Sequence, residues 1–246
     1  MLTVDLNCDM GEGMGNDAES MPFISSTNIA CGYHAGDDDT MKKTVELALR
    51  HHVAIGVHPG FADKENFGRR EMKLSSNEVR NLINEQIFAL KKITDSFHTT
   101  IHHVKPHGAL YNMAARKITL AHTIAQAVKD VDANLILYGL SGSYLISEAK
   151  SIGLKTAREV FADRTYENDG SLTPRSQPDA LIEDEEKCMS QVLQMVKSNS
   201  VTTVNDKVIP IVGETICLHG DGKHAITFAK LIHQTLKENH IGIKTI

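Results

Sequence analysis

The stretch Val104-Lys105-Pro106-His107-Gly108-Ala109-Leu110-Tyr111-Asn112 decides the fold. It starts as the end of an apolar run that reads as a buried strand, then sets a cation, a proline, an imidazole, a glycine and a phenol within a few residues. Loops after parallel strands are where α/β proteins place their chemistry. Pro106 removes a backbone donor and disfavours a helix, which keeps Lys105 extended, while Gly108 lets the chain turn. Taken alone, the stretch equally fits a snorkelling lysine beside a satisfied core histidine. Its recurrence along the chain separates the two readings.

Upstream, residues 53–57 read as a strand ending in His58-Pro59-Gly60-Phe61, and residues 27–31 as another ending in Gly32-Tyr33-His34-Ala35-Gly36-Asp37. The first strand, 3–8, runs into Asp9-Met10-Gly11-Glu12-Gly13. That glycine spacing is not the GxGxxG of a dinucleotide fold, so Asp9 and Glu12 read as working carboxylates. Asp38, Asp39 or Thr40 is expected to cap a helix carrying Met41, Val45, Ala48 and Leu49. Ser75 to Glu78 forms a capping box before the stripe Val79, Leu82, Ile83, Ile87, Leu90 and Ile93.

Downstream, strands at 135–138, 155–161 and 215–218 lead into Gly139 to Ser143, Asp163-Arg164 and His219-Gly220-Asp221. The segment 167–179 is long, bears glycine and proline and holds Arg175, a layout that suits a lid or a partner surface. Residues 201–212 read as two short extended runs around Asn205-Asp206, and residues 241–244 as a short terminal strand. Strand, polar loop and helix thus alternate as in an α/β fold with a largely parallel sheet. Periodicity leaves barrel and open sheet both standing. A chain of 246 residues with no linker or repeat is expected to form one domain over 1–246.

In such a fold Asp9, His34, His58, Lys105 with His107, Asp163 with Arg164, and His219 with Asp221 all open onto one face. Chance convergence of ionisable groups from so many strand exits is improbable, and a functional site is expected there. The remaining histidines fall on helices, at helix ends or inside strands and read as surface or satisfied core residues. Arg69-Arg70 reads either as solvated surface or as an anion-recognition pair.

Composition narrows the chemistry. Net charge is −5 with no basic run and no tryptophan, which argues against nucleic acid and against an anionic membrane surface. No apolar run approaches a membrane span, and the N-terminus lacks a basic-then-apolar leader, so a cytoplasmic location is expected. Cys8, Cys31, Cys188 and Cys217 form no CxxC pair and read as reduced core thiols. Without a GxSxG elbow or a P-loop, acid–base and electrostatic chemistry remains, and any ATP is held in another manner.

Six motifs together resemble the LamB/YcsF family, the group of 5-oxoprolinase A subunits. They are Asp5-Leu6-Asn7-x-Asp9-x-Gly11-Glu12-Gly13, Asn28 to Asp37, His58-Pro59-Gly60 with Phe67-Gly68-Arg69-Arg70, Val104 to Asn112, Arg158-Glu159-Val160-Phe161-Ala162-Asp163-Arg164-x-Tyr166, and Thr215-Ile216-Cys217-x-His219-Gly220-Asp221. The resemblance implies an irregular TIM-like (β/α) barrel of seven strands, related to the glycoside hydrolase/deacetylase group. It also implies ATP-dependent opening of 5-oxoproline (pyroglutamate) to glutamate, with Mg2+ accompanying the nucleotide, in a complex with subunits B and C.

On that reading Lys105 and Arg164 stabilise phosphate or oxyanion charge, and Asp9 or His107 activates water while a second histidine protonates the leaving nitrogen. Asp163, His219 and Asp221 complete the catalytic set, and Glu12, Arg69, Arg70 and Glu159 are expected at the cofactor. Two alternatives stand beside it. One is a metal-dependent deacetylase-like hydrolase with a divalent ion on Asp9, His34 and His58; the other is a non-catalytic protein that binds the lactam for its partners.

Overall fold

A computed structural model describes residues 2–218 and 225–246. Strands and helices alternate along the chain: β1 (Thr3–Met10), α1 (Asp17–Ser20), β2 (Ser26–Ala30), α2 (Asp38–His51), β3 (Ala54–His58), α3 (Ser76–Ser96), β4 (His103–Val104), α4 (Gly108–Arg116) and α5 (Ile118–Val131). They continue as β5 (Ile136–Leu140), α6 (Tyr144–Ser151), β6 (Lys155–Phe161), α7 (Glu185–Ser198), β7 (Ser200–Thr202), β8 (Val208–Pro210), β9 (Thr215–Leu218), α8 (Ala225–Glu238) and β10 (Gly242–Ile243).

All pairings in the main sheet are parallel, in the order β1-β2-β3-β4-β5-β6-β9, and β9 returns to pair with β1. The sheet therefore closes into a seven-stranded barrel, as the resemblance implied. β10 adds alongside the start of β1, and β7 and β8 form a separate antiparallel ribbon. That ribbon matches the two runs expected around Asn205-Asp206, and Pro210 sits in it rather than in the barrel. The cap of α2 is Asp37, one residue before the expected candidates, its carboxylate accepting from the Thr40 amide at 2.8 Å. Ser75 and Glu78 form the expected capping box of α3.

Strand parity sorts the side chains. Leu6, Cys8, Ile29, Val57, Val104, Val160 and Ile216 lie with the helices in the main apolar core. The alternate residues turn into the barrel, and most of them are polar. Asp5 accepts hydrogen bonds from Ser25 (2.6 Å), Ser26 (2.7 Å), Thr215 (2.6 Å) and Tyr138 (3.1 Å). One layer up, the Asn7 amide donates to Glu159 (3.0 Å) and Thr215 (2.6 Å) and accepts from Asn28 (2.7 Å). Asn28 also donates to Asp9 (2.8 Å) and lies 2.8 Å from His103 Nε2. His103 is thus the satisfied core histidine expected of it. Buried polar groups are stable only when paired, and this network pairs them.

Gly56 leaves the room that His103 fills. A Cβ at residue 56 would fall 2.1 Å from His103 Nε2, and that ring is held by Asn28 and by stacking on Tyr138 at 4.0 Å. Gly56→Ala is expected to destabilise the protein by about 1–3 kcal/mol through overpacking, read as a lower midpoint with an unchanged slope in urea unfolding.

Candidate active site

The top of the barrel is organised by Lys105, which is 2% exposed. The Lys105 amide donates to Val57 (2.9 Å) and the His107 amide to Pro59 (2.8 Å), so the chain runs extended beside β3 through Pro106, whose missing donor costs nothing on that side. Gly108, at φ +54°, makes the turn into α4; a Cβ there would lie 2.7 Å from the Gly68 carbonyl. The ammonium of Lys105 donates to Asp9 Oδ1 (2.8 Å), Glu159 Oε1 (2.9 Å), Cys217 Sγ (2.9 Å) and Asn7 Oδ1 (3.3 Å). Burial alone would pull the lysine down, but Asp9, Cys217 and Glu159 outweigh it and hold Lys105 well above the ordinary lysine range. The Cys217 thiol is pushed up by burial, against Lys105, with Asp9 and Glu159 adding to the rise, so it stays protonated.

Beside this pair stand three histidines. His58 Nδ1 donates to the Lys105 carbonyl at 2.8 Å, leaving Nε2 at 3.3 Å from Asp9 Oδ2 and 2.9 Å from His107 Nδ1. His107 Nε2 donates to the Phe67 carbonyl at 2.8 Å. His34 stacks on His107 at 3.8 Å, and Glu12 Oε1 approaches both, 3.5 Å from His34 Nε2 and 3.6 Å from His107 Nδ1. Burial, reinforced by neighbouring histidines, lowers both His34 and His107 well below the usual imidazole range. Glu12, His34, His58 and His107 each offer a ligand atom within 4.8 Å of the others, a donor set able to take a metal ion.

Buried or half-buried side chains from the outer helices clamp the loops that carry these groups. Gln86 of α3 bonds both the amide (3.0 Å) and the carbonyl (2.9 Å) of Gly60 behind His58. Gln191 of α7 donates to the carbonyls of Phe161 (2.9 Å) and Arg164 (2.8 Å) behind Glu159. Asp17 accepts from the Gly11 amide (2.9 Å) and the Thr44 hydroxyl (3.0 Å), between Asp9 and Glu12. None of the three carries a sequence signal, because a glutamine or aspartate on a helix reads as surface until its neighbours are placed.

A cavity of about 880 Å³ opens over the site, bordered by Asp9, His58, Lys105 and His107 on its floor side and by Arg69, Arg164 and Arg175. Arg164 is itself buried and donates to the Ala180 (3.1 Å) and Thr173 (2.5 Å) carbonyls, which folds the segment 165–181 over the cavity. Burial, with Arg175 nearby, lowers Arg164 to about 10. Arg69 lies over the Phe67 ring at 4.8 Å, whereas Arg70 is exposed, pairs with Asp63 at 3.5 Å and does not border the cavity. Asp163 is half-buried and does not border it either. His219 and Asp221 lie outside the described residues. Asn7, Asn28 and Tyr111 lie in the quoted motifs but are not among the expected site residues; Asn7 and Asn28 hold Asp9 and Lys105 in place, and the Tyr111 phenol, raised first by burial and then by Glu159, stays protonated at the cavity wall.

Fold and site together define a parallel TIM-like barrel with a cluster of buried ionisable groups at the C-terminal ends of its strands. The chain belongs to the LamB/YcsF family, whose model matches residues 4–246. It is 53% identical over 248 residues, 99% of this chain and 98% of the relative, to a Brevibacillus brevis protein named as the A subunit of 5-oxoprolinase. The crystal structure of the lactam utilization protein of Thermus thermophilus, 38% identical, superposes with a TM-score of 0.93 over the whole of both chains. A family 4 carbohydrate esterase from Streptomyces lividans shares the fold at a TM-score of 0.55 and 11% identity, covering 99% of this chain and 92% of its own.

Removing the ammonium would leave buried carboxylates without their counter-charge. Lys105→Met is expected to cost about 3–5 kcal/mol of stability. Because the folded lysine is raised, the deficit relative to the natural protein should be constant through neutral pH and shrink only above the unfolded lysine value of about 10.4. Urea unfolding of both proteins across that range reads it.

Proposed function

We propose that the chain is the A subunit of an ATP-dependent 5-oxoprolinase, which hydrolyses the lactam of 5-oxo-L-proline to L-glutamate as ATP becomes ADP and phosphate. The observation that carries this is identity to 5-oxoprolinase A subunits over essentially the full length of both chains. The likeness to a lactam utilization protein over the same length agrees with it. The relatives' names support an assembly of several different chains, and the partners on this reading are subunits B and C, with the complex in the cytoplasm. No helix among the described residues is long and apolar enough to cross a membrane.

The chemistry follows from the groups around the cavity. A five-membered lactam is a stable amide, and transfer of the γ-phosphoryl group of Mg-ATP to its oxygen turns the carbonyl carbon into an electrophile. Water adds to that carbon and the ring C–N bond breaks as the nitrogen takes a proton. A second water then releases phosphate from the resulting acyl phosphate, leaving glutamate. Asp9 is the base: Oδ1 is committed to Lys105 and Asn28, and Oδ2 faces His58. Lys105 acts through Asp9 and Glu159, since four acceptors already surround its three N–H bonds. Contact with a developing oxyanion falls to Arg69 or Arg175 rather than to Lys105. Ser143, at the N-terminus of α6, also borders the cavity, and helix N-termini suit a substrate carboxylate.

Glutamate release from 5-oxoproline and Mg-ATP tests the reading, comparing this chain, its two partner chains, and all three together. Release only from the full mixture is expected. A folded chain that gives no release in any mixture overturns the assignment.

A further inference from the structure

The three histidines beside Asp9 pose a proton-counting problem. His58 commits its Nδ1 hydrogen to the Lys105 carbonyl at 2.8 Å, and His107 commits its Nε2 hydrogen to the Phe67 carbonyl at 2.8 Å. A carbonyl can only accept, so in the neutral rings the other two nitrogens, His58 Nε2 and His107 Nδ1, are both lone pairs. They face each other at 2.9 Å. Glu12 Oε1, a further acceptor, stands 3.6 Å from the same His107 nitrogen and 3.5 Å from His34 Nε2. His34 is 1% exposed, and neither of its ring nitrogens has a hydrogen-bond partner among the described residues.

Two lone pairs held face to face, with an unpartnered imidazole and a carboxylate alongside, are what a cation requires. We propose that Glu12, His34, His58 and His107 bind one divalent transition-metal ion. Donors about 2.0–2.2 Å from a common ion lie roughly 3.0–3.5 Å from each other, close to the 2.9 Å between His58 and His107 and the 3.5 and 3.6 Å from Glu12 to His34 and His107. Three imidazoles and one carboxylate select a zinc- or manganese-class ion over Mg2+ or Ca2+, which favour all-oxygen shells. The two carbonyl bonds are the outer contacts that fix the tautomer of ligating histidines, and both are already made. His34 must tilt out of its 5° stack on His107 to aim its lone pair, and no hydrogen bond resists that tilt. His58 and His107 border the cavity, so the ion would keep an open side toward a bound molecule. The site differs from the set expected from sequence, because Asp9 is taken by Lys105 and Asn28 while Glu12 and His107 supply the missing ligands.

The proposal goes beyond the lactam reading and does not depend on it, so its test measures no turnover. Chelator-stripped full-length chain is titrated with Zn2+ and separately with Mn2+ by calorimetry and thermal unfolding. The loaded protein is then analysed for metal content and by X-ray absorption. One equivalent of one of these ions, an imidazole-rich shell and a melting temperature raised by the metal are expected. Glu12→Ala with His34→Ala should lower the affinity at least about 100-fold, and circular dichroism checks that it folds. A folded natural chain that takes up no stoichiometric ion overturns the proposal, and the histidines then share a proton instead. Equal uptake by the double variant also overturns it, because the ion would sit elsewhere.

Discussion

One ammonium inside a barrel sets the terms for everything around it. Taking a charged lysine out of water costs several kcal/mol, which is offset only where opposite charge and hydrogen-bond acceptors stand at contact distance. Lys105 finds them in Asp9 of β1, Glu159 of β6 and Asn7 of β1, on strands that reach it only when the sheet closes. Barrel closure and charge neutralisation therefore require each other. The same pairing sets two carboxylates against one ammonium in a dry place, where each has a counter-charge at contact distance.

The polar lining of the barrel extends that logic downward. Asp5, Asn7 and Asp9 occupy alternate positions of β1 and meet hydroxyls, amides and the lysine from neighbouring strands. The apolar side chains between them face the helices, so the main hydrophobic core lies outside the barrel rather than within it. Ile136, Tyr138 and Ala157 form a small separate apolar cluster. Such an interior is specific because its hydrogen bonds are satisfied in one strand register only.

Much of this was legible beforehand. Residues 104–112 announced a strand exit with chemistry on it, and the matching exits at Asp9, His34 and His58 predicted the shared mouth that the structure shows. Other features depended on partners far away in the chain. The period-two polarity of Asp5, Asn7 and Asp9 is visible in the sequence, but a polar barrel interior is recognised only once Thr215, Glu159 and Lys105 are placed opposite. Gln86, Gln191 and Asp17 act through backbone groups, which carry no sequence signal. Lys105 reads from sequence as a hand for substrate charge; the acceptors already around its ammonium come from β1, β6 and β9, which no local pattern reveals.

The central claim is that the lactam is opened at the mouth of this barrel, with Asp9 as the group that takes the proton from water. Asp9→Asn keeps the size of the side chain and its bond from Lys105 while removing the base. In the mixture of all three chains with Mg-ATP, glutamate release by this variant should fall at least about 100-fold, with the chain folded and still assembling with its partners. Near-normal release from such an assembly would contradict the account and place the chemistry elsewhere.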